Sequence, residues 1–229
     1  MSSEEIAQRF TLRHAYANLL GLGLFWITGS TLPIPALALA SLAYWVWEDR
    51  KSFAAPASFG SANAVTAVRA LSLLPLAAAA DAGRPTLVAL WTLAIFTLDG
   101  VDGWLARRAA NTTAFGARFD AETDASLTLL LSASAVALER AWPWVVIAGM
   151  LRFLWVLALA WSQRVEVGTP RTRIGRYAFS IAVTSFTASF WPPQLTPLSH
   201  ALTAVATLVL CYSFSFSFRA LFAAKRARA

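Results

Sequence analysis

Long apolar runs separated by short polar segments form the dominant pattern of this chain. Most of the runs approach the roughly 20 helical residues that cross a hydrocarbon core of about 30 Å. Because lipid offers no partner to backbone polar groups, segments that span it are predicted to be helices. The candidate spans are 14–29, 33–47, 63–80, 86–106, 118–138, 142–162, 177–191 and 198–218.

The first two runs are short for a full crossing, which indicates tilted or partly inserted helices. Residues 3–12, which precede them, are predicted to form an amphipathic interfacial helix, with a disordered tail as the alternative. Composition agrees with a membrane protein, because 58% of the 229 residues are hydrophobic, 14% are charged and the mean hydropathy is +0.57. A soluble domain of this size needs more charge to cover its surface. The predicted fold class is all-α, a polytopic membrane helix bundle.

The basic residues predict the orientation of this bundle. With both termini in the cytoplasm, sixteen of the 19 lysines and arginines fall on the inner side, and only Arg84 and Arg140 fall outside, while Arg152 lies within a span. Positive charge is enriched on the cytoplasmic side of membrane proteins. The net charge of +7 is spread over several short loops, so topology and anionic headgroups explain it better than nucleic acid does.

Acidic residues are concentrated between Asp99 and Asp124, which contain five of the 12 in the chain. Asp99 and Asp102 are three positions apart, and Asp120 and Asp124 are four apart, so each pair lies on one helical face. The short polar connection between them predicts antiparallel helices and four converging carboxylates. Their repulsion needs a cation, and oxygen ligands favour Mg²⁺ or Mn²⁺, two of which form a known clamp for phosphoryl transfer.

Neighbouring residues suit the binding of a phosphate. Gly103 and Gly116 let a polar ligand approach the backbone, and Arg107 offers a forked donor to phosphate oxygens. Glu122 points elsewhere on the helix, and we predict that it pairs with Arg118, four positions before it.

The pattern D-x2-D-G-x2-A-R-x8-G-x3-D-x3-D, from Asp99 to Asp124, resembles the signature of the CDP-alcohol phosphotransferase family at every fixed position. The helices from Asn63 onward resemble the family's six-span unit, and Asn63, Thr66, Arg69 and Pro75 are similar to the opening of its first span. The resemblance does not cover the two N-terminal hydrophobic helices.

The resemblance implies a catalytic membrane domain of six helices in 51–229. The apolar pattern places the interfacial segment and two extra helices before it, in 1–50. The resemblance also suggests a homodimer in a bacterial-type inner or plasma membrane, and the distribution of basic residues places the active site in the cytoplasm. A member of this family moves a substituted phosphate from a CDP-alcohol to the hydroxyl of a second alcohol and releases CMP.

The resemblance also implies roles for individual residues. Asp99, Asp102 and Asp120 would ligate two Mg²⁺ or Mn²⁺ ions, and Asp124 would complete this site and act as general base. The cytidine diphosphate pocket would be lined by Asp102, Gly103, Ala106, Arg107 and Gly116.

The expected donor is CDP-diacylglycerol. Arg173 and Arg176 lie one turn apart at the start of the seventh span and could form an anion site, with Arg152 as a third charge or as an inter-helix partner. This favours glycerol 3-phosphate, or an inositol phosphate, as acceptor. However, Arg171-Thr172-Arg173 stands where the family's glycerol-phosphate members often carry a lysine-threonine pair, so serine, inositol and choline stay open.

Two other functions are considered. Intramembrane prenyltransferases also use aspartate-rich motifs with Mg²⁺, but they place two motifs far apart, whereas this chain has one compact block. A divalent-cation carrier needs its acids near the bilayer midplane, whereas these are predicted at helix ends. His14 and His200 are predicted near opposite membrane faces, as packed or interfacial histidines without a shared site.

Overall fold

The computed structural model describes residues 3–48, 60–109, 114–162, 173–191 and 196–226. These residues form nine α-helices and one short 3₁₀-helix, with no strand among them, which confirms the all-α prediction. The helices are α1 Ser3–Thr28, α2 Pro33–Glu48, α3 Gly60–Leu71, α4 Leu73–Asp81, α5 Pro85–Ala109, α6 Ala114–Ala137, the 3₁₀-helix Pro143–Val146, α7 Ile147–Trp161, α8 Arg173–Ser189 and α9 Thr196–Arg226.

Two elements are divided differently from the prediction, while several other helices differ from it only at their ends. The interfacial segment 3–12 is not a separate element, because α1 runs without a break from Ser3 to Thr28. The span 63–80 is divided into α3 and α4 at Ser72. Pro75 explains this break, since it has no N–H to donate to the Leu71 carbonyl and its ring disfavours a continuous helix there.

Three stretches of the described residues are long and apolar enough to cross a membrane: Asn63–Asp81, Pro143–Trp161 and Pro197–Arg219. Each coincides with one of the eight predicted spans. The shorter apolar helix Pro85–Leu98 coincides with a fourth. The fold is therefore that of a membrane helix bundle.

The helix α6 lies at the centre of this bundle, where it packs against α1, α2, α3, α4, α7 and α8. Its leucines Leu127, Leu129, Leu130 and Leu131 are almost fully buried. On one side α7 approaches unusually closely: a Cβ on Gly149 would lie 2.3 Å from the Leu129 Cα. Only a glycine allows this contact, so α6 and α7 form a tightly packed pair.

The first two helices, α1 and α2, form an antiparallel pair that we call the N-terminal hairpin (3–48). Its turn docks on the end of α4 through Asp81, whose Oδ1 accepts from the Thr31 N–H and hydroxyl, both at 2.7 Å. The Ser30 hydroxyl donates to the other carboxylate oxygen at 2.5 Å. Within the hairpin, a Cβ on Gly21 would lie 2.8 Å from the Ile34 Cα. The hairpin is thus closely packed and joined to the bundle at its turn.

Candidate active site

The first turns of α6 carry two of the predicted site carboxylates, and an arginine of α3 joins them. Arg69 donates from Nη1 to Asp120 Oδ1 at 2.7 Å and from Nη2 to Asp124 Oδ1 at 2.5 Å. The arginine side chain is 1% exposed, while those of Asp120 and Asp124 are 30% and 21% exposed. The structure therefore brings Asp120 and Asp124 together around one buried guanidinium, with both carboxylates partly open to their surroundings.

This arrangement follows from local helix geometry. Asp120 and Asp124 are four positions apart in α6, so they stand one above the other on the same face. The planar guanidinium of Arg69 presents its donors as a fork, which suits two acceptors at that separation. Its positive charge offsets the repulsion between the carboxylates.

The donor set formed by these aspartates fits a hard divalent cation. Mg²⁺ and Mn²⁺ prefer carboxylate oxygens, and here two carboxylates share one face and remain accessible. A divalent cation held by these carboxylates would in turn suit an anionic ligand such as a diphosphate.

The other predicted ligands lie on α5. Asp99, Asp102, Gly103, Ala106 and Arg107 occupy its last turns, for which the structure describes the helix but not the side chains, so their roles stay predictions. The helix α3 packs against both α5 and α6. The two predicted aspartate pairs therefore lie on helices with a common neighbour, the helix that carries Arg69.

The prediction that Glu122 pairs with Arg118 is wrong. Glu122 is fully buried, and its Oε1 accepts from Arg152 Nη2 on α7 at 2.6 Å. The Arg152 side chain is itself only 15% exposed. Glu122 lies between the two aspartates in sequence, so it points from α6 into the protein, where an arginine on a neighbouring helix is the accessible cation. Arg152 thus has an inter-helix role, and its assignment to the acceptor site stays a prediction.

A histidine of the N-terminal hairpin also reaches α6. His14 is fully buried, which is the packed one of the two predicted alternatives, and its Nε2 lies 3.1 Å from the Ser126 hydroxyl. Its Nδ1 lies 2.6 Å from the Ser41 hydroxyl of α2. His14 therefore links three helices. The other histidine, His200, packs its ring edge to face against Trp142, 4.7 Å between centroids.

Arg173 and Arg176 lie in the first turns of α8, and their side chains fall outside the described part of the chain. The described residues contain no group of three or more histidine, cysteine, aspartate or glutamate side chains suited to one metal ion. Asp99 and Asp102 are not among the side chains described. The four-carboxylate site therefore stays a prediction.

A model of the CDP-alcohol phosphatidyltransferase family matches residues 59–213. The chain belongs to this family. As a CDP-alcohol phosphatidyltransferase it is a membrane-integral transferase of phospholipid synthesis, which moves a phosphatidyl group from a CDP-alcohol to an acceptor. The matched residues include the whole of Asp99 to Asp124 and leave the N-terminal hairpin outside. No curated protein and no solved structure matches the chain.

Sequence reasoning missed what Arg69, His14 and the Glu122–Arg152 pair do in this phosphatidyltransferase. The signal for Arg69 is a single arginine inside an apolar run, where an unpaired charge is costly. The same argument applies to Glu122 and Arg152, which are opposite charges in two neighbouring spans. It identifies residues that need a partner, but it does not say which helix supplies the partner.

Proposed function

We propose that this phosphatidyltransferase moves the phosphatidyl group of CDP-diacylglycerol to the hydroxyl of a small phosphorylated alcohol, with glycerol 3-phosphate favoured, and releases CMP. The observation that carries the proposal is the convergence of Asp120 and Asp124 on Arg69 within the matched family region. These aspartates are the last two fixed positions of the signature. Their close approach supports one shared site.

Asp99, Asp102, Asp120 and Asp124 would hold a pair of Mg²⁺ or Mn²⁺ ions in this proposal. Bound ions of this kind neutralise charge on a diphosphate and on the departing phosphate. Asp102, Gly103, Ala106, Arg107 and Gly116 would line the cytidine diphosphate pocket. The glycines leave room beside the backbone, and the arginine would orient a phosphate through its forked donors.

Asp124 is the proposed general base. A carboxylate that faces the reacting phosphorus can accept the proton of the attacking hydroxyl while the new P–O bond forms and the bond to CMP breaks. Arg69 fixes the orientation of this carboxylate through the 2.5 Å bond. One carboxylate oxygen is thereby held by the protein, and rotation of the side chain is restricted. Arg69 therefore acts as a positioning residue for Asp120 and Asp124.

The acceptor is proposed from charge. Arg173 and Arg176, in the first turns of α8, combine with the positive helix N-terminus to favour a phosphate. Arg152 could add a third charge, although its Nη2 is held by Glu122. An inositol phosphate would fit the same set, whereas inositol and choline, which have no anionic group, would not use it, and serine would use it only through its carboxylate.

The same proposal places the catalytic face and both termini in the cytoplasm, where CMP can leave into water. The excess of basic residues on that side supports it. A homodimer in a bacterial-type inner or plasma membrane completes the proposal. It rests on resemblance to the family and not on a contact in the structure.

The decisive experiment measures CMP release by the full-length protein in lipid nanodiscs. The protein receives CDP-diacylglycerol, Mg²⁺ and one acceptor at a time from glycerol 3-phosphate, inositol phosphate, inositol, serine and choline. We expect release with a phosphorylated acceptor and loss of release in Asp124→Asn. Glu139→Gln, an exposed acid beyond the far end of the same helix, serves as the matched control and should retain activity.

Full activity of Asp124→Asn would contradict the general-base assignment. Turnover of a prenyl diphosphate instead of CDP-diacylglycerol would favour the prenyltransferase alternative. Divalent-cation flux into sealed vesicles, without CMP release, would favour the carrier.

A further inference from the structure

The N-terminal hairpin lies outside the residues matched by the family model, yet it contacts the part of α6 that carries the proposed metal ligands. The most specific contact is the 3.1 Å approach of His14 Nε2 to the Ser126 hydroxyl. Ser126 lies only two positions after Asp124. A segment absent from the family match is therefore bonded to the centre of the proposed active site helix.

The contacted face of α6 is different from the face of the aspartates. Glu122 and Ser126 are four positions apart and share a face, as Asp120 and Asp124 do. The two pairs are offset by two residues, which is a rotation of about 200° around the helix axis. His14 and Arg152 thus contact the face of α6 opposite to the aspartates. The direction in which the aspartates point depends on these contacts.

The hydrogen bonds of His14 define its orientation. With Nδ1 protonated, this nitrogen donates to the Ser41 oxygen, whose own hydroxyl donates to the Ala38 carbonyl at 2.7 Å. Nε2 is then an acceptor, and the one proton of the Ser126 hydroxyl is shared between Nε2 at 3.1 Å and the Glu122 carbonyl at 3.0 Å. On the other side of the ring, Asn18 Nδ2 lies 3.1 Å from Nε2 and also donates to the His14 carbonyl at 3.0 Å. Both ring nitrogens therefore have partners, and the imidazole has a single favourable rotation.

An aromatic group extends the contact toward the start of α6. Phe10 of α1 stacks on Trp45 of α2 at 4.0 Å, and Trp45 packs on Phe115 of α6 at 4.3 Å. Phe115 in turn contacts Phe119, with 5.8 Å between ring centroids. Phe115 and Phe119 directly precede Gly116 and Asp120. The hairpin is therefore held to the bundle at three heights: by these aromatic rings, by His14, and by the hydrogen bonds of Asp81 at the hairpin turn.

We propose that the N-terminal hairpin is a positioning element for the active site, in which His14 fixes the rotation of α6 and so the convergence of Asp120 and Asp124. This inference rests on the proposed function of those two aspartates. In this inference His14 contacts neither substrate nor metal. It is a positioning residue that acts through Ser126.

Polar contacts suit this role better than apolar packing does. A hydrogen bond weakens as its distance and angle leave the favoured range, so buried polar contacts add a directional constraint to the apolar packing of α6. Burying His14, Ser126 and Glu122 is unfavourable unless each finds its partner, so one arrangement of α6 is favoured over its neighbours.

The test measures Mn²⁺ binding to the full-length protein in nanodiscs, from the electron paramagnetic resonance signal of free Mn²⁺, beside Mg²⁺-dependent CMP release. Loss of a residue bonded directly to a metal ligand typically weakens metal affinity about 10- to 100-fold. His14 acts one step further away, through Ser126, so we expect a loss near the lower limit of this range, about 10-fold, for both His14→Ala and Ser126→Ala. His14→Gln, which keeps a donor and an acceptor, is expected to recover part of the affinity.

Thr11→Ala is the matched control. Thr11 is buried on the same helix, and its hydroxyl donates to the Ala7 carbonyl of α1 itself at 3.0 Å. The Thr11→Ala substitution removes a buried hydroxyl but leaves the hydrogen bonds between the hairpin and α6 in place. Its Mn²⁺ affinity is expected to stay within about twofold of the wild type, well below the loss caused by an orienting residue.

Wild-type affinity in both His14→Ala and Ser126→Ala would overturn the inference. So would an equal loss of affinity in His14→Ala and Thr11→Ala, because the hairpin would then contribute only to stability. If His14→Ala does not fold, the Mn²⁺ affinity of Ser126→Ala is compared in the same way with that of the wild type and that of Thr11→Ala. Absence of both Mn²⁺ binding and CMP release in the wild type would instead refute the proposed function, and this inference with it.

Discussion

The guanidinium Nη2 of Arg69 donates to Asp124 Oδ1 at 2.5 Å, although 55 positions separate the two residues. The arginine comes from α3 and the aspartate from α6. Arg69 precedes the signature by thirty positions. The proposed catalytic carboxylate is therefore oriented by a residue outside the motif that identifies the family, and the geometry of the site depends on how α3 packs against α6.

Replacing Arg69 tests this dependence. Arg69→Lys keeps the charge but offers a single ammonium, which cannot donate to both carboxylates in the forked geometry. We expect CMP release to fall about 10- to 100-fold, as for other residues that orient metal ligands. Arg84→Lys, at an exposed position at the opposite end of the bundle from Arg69, is the control and should retain activity. Unchanged activity of Arg69→Lys would show that charge alone suffices.

Removal of the divalent metal gives a second prediction. Treatment with EDTA should abolish CMP release, and excess Mg²⁺ should restore it, because the proposed chemistry needs charge neutralisation at the diphosphate. In Asp120→Asn the restoring Mg²⁺ concentration should rise about 10-fold or more, since one ligand has lost its charge. Activity that survives EDTA in metal-free buffer would contradict the metal assignment.

The buried ion pair between Glu122 and Arg152 predicts a stability effect. Glu122→Gln leaves the arginine without its anion at a site where both side chains are largely buried, and removing one partner of such a pair typically costs about 3–5 kcal/mol. We expect a clear fall in the melting temperature in nanodiscs.

A double-mutant cycle distinguishes the pair from its surroundings. Glu122→Gln with Arg152→Gln should be less destabilising than the sum of the single changes, by about 0.5–3 kcal/mol. Strict additivity would mean that the 2.6 Å contact contributes no coupling.

Two glycines of α1 offer a matched pair for the packing of the hairpin. A Cβ on Gly21 would lie 2.8 Å from the Ile34 Cα and 2.9 Å from the Pro33 carbonyl oxygen, whereas one on Gly23 would meet nothing within 4 Å. Gly21→Ala should therefore destabilise the protein by about 1–3 kcal/mol. Gly23→Ala should be neutral or stabilising by up to about 1 kcal/mol, because alanine favours helix.

Thermal unfolding of both variants in nanodiscs measures this difference. Gly149→Ala, whose Cβ would lie 2.3 Å from the Leu129 Cα, is expected to be the most damaging of the three. Equal melting temperatures for Gly21→Ala and Gly23→Ala would contradict the close packing of α1 on α2.

The sequence by itself determined the helical class, several of the spans and the family. Apolar runs near 20 residues long leave only helices as a solution in lipid, and eight fixed residues at fixed spacing specify the family signature. It also indicated that Asp120 and Asp124 share a face, because helical periodicity is a local property. The sequence also contains the cause of the break between α3 and α4, which is Pro75, although the span was predicted as one helix.

Only the tertiary structure decided which helices meet. Periodicity gives the face on which Glu122 lies, but the partner on that face depends on packing, so the local choice Arg118 was wrong and Arg152 was found instead. His14 and Ser126 are 112 positions apart, and their contact follows from the docking of the hairpin against α6. Charges and hydrogen-bonding groups buried in a low-dielectric interior need partners, and the three-dimensional arrangement of helices supplies them.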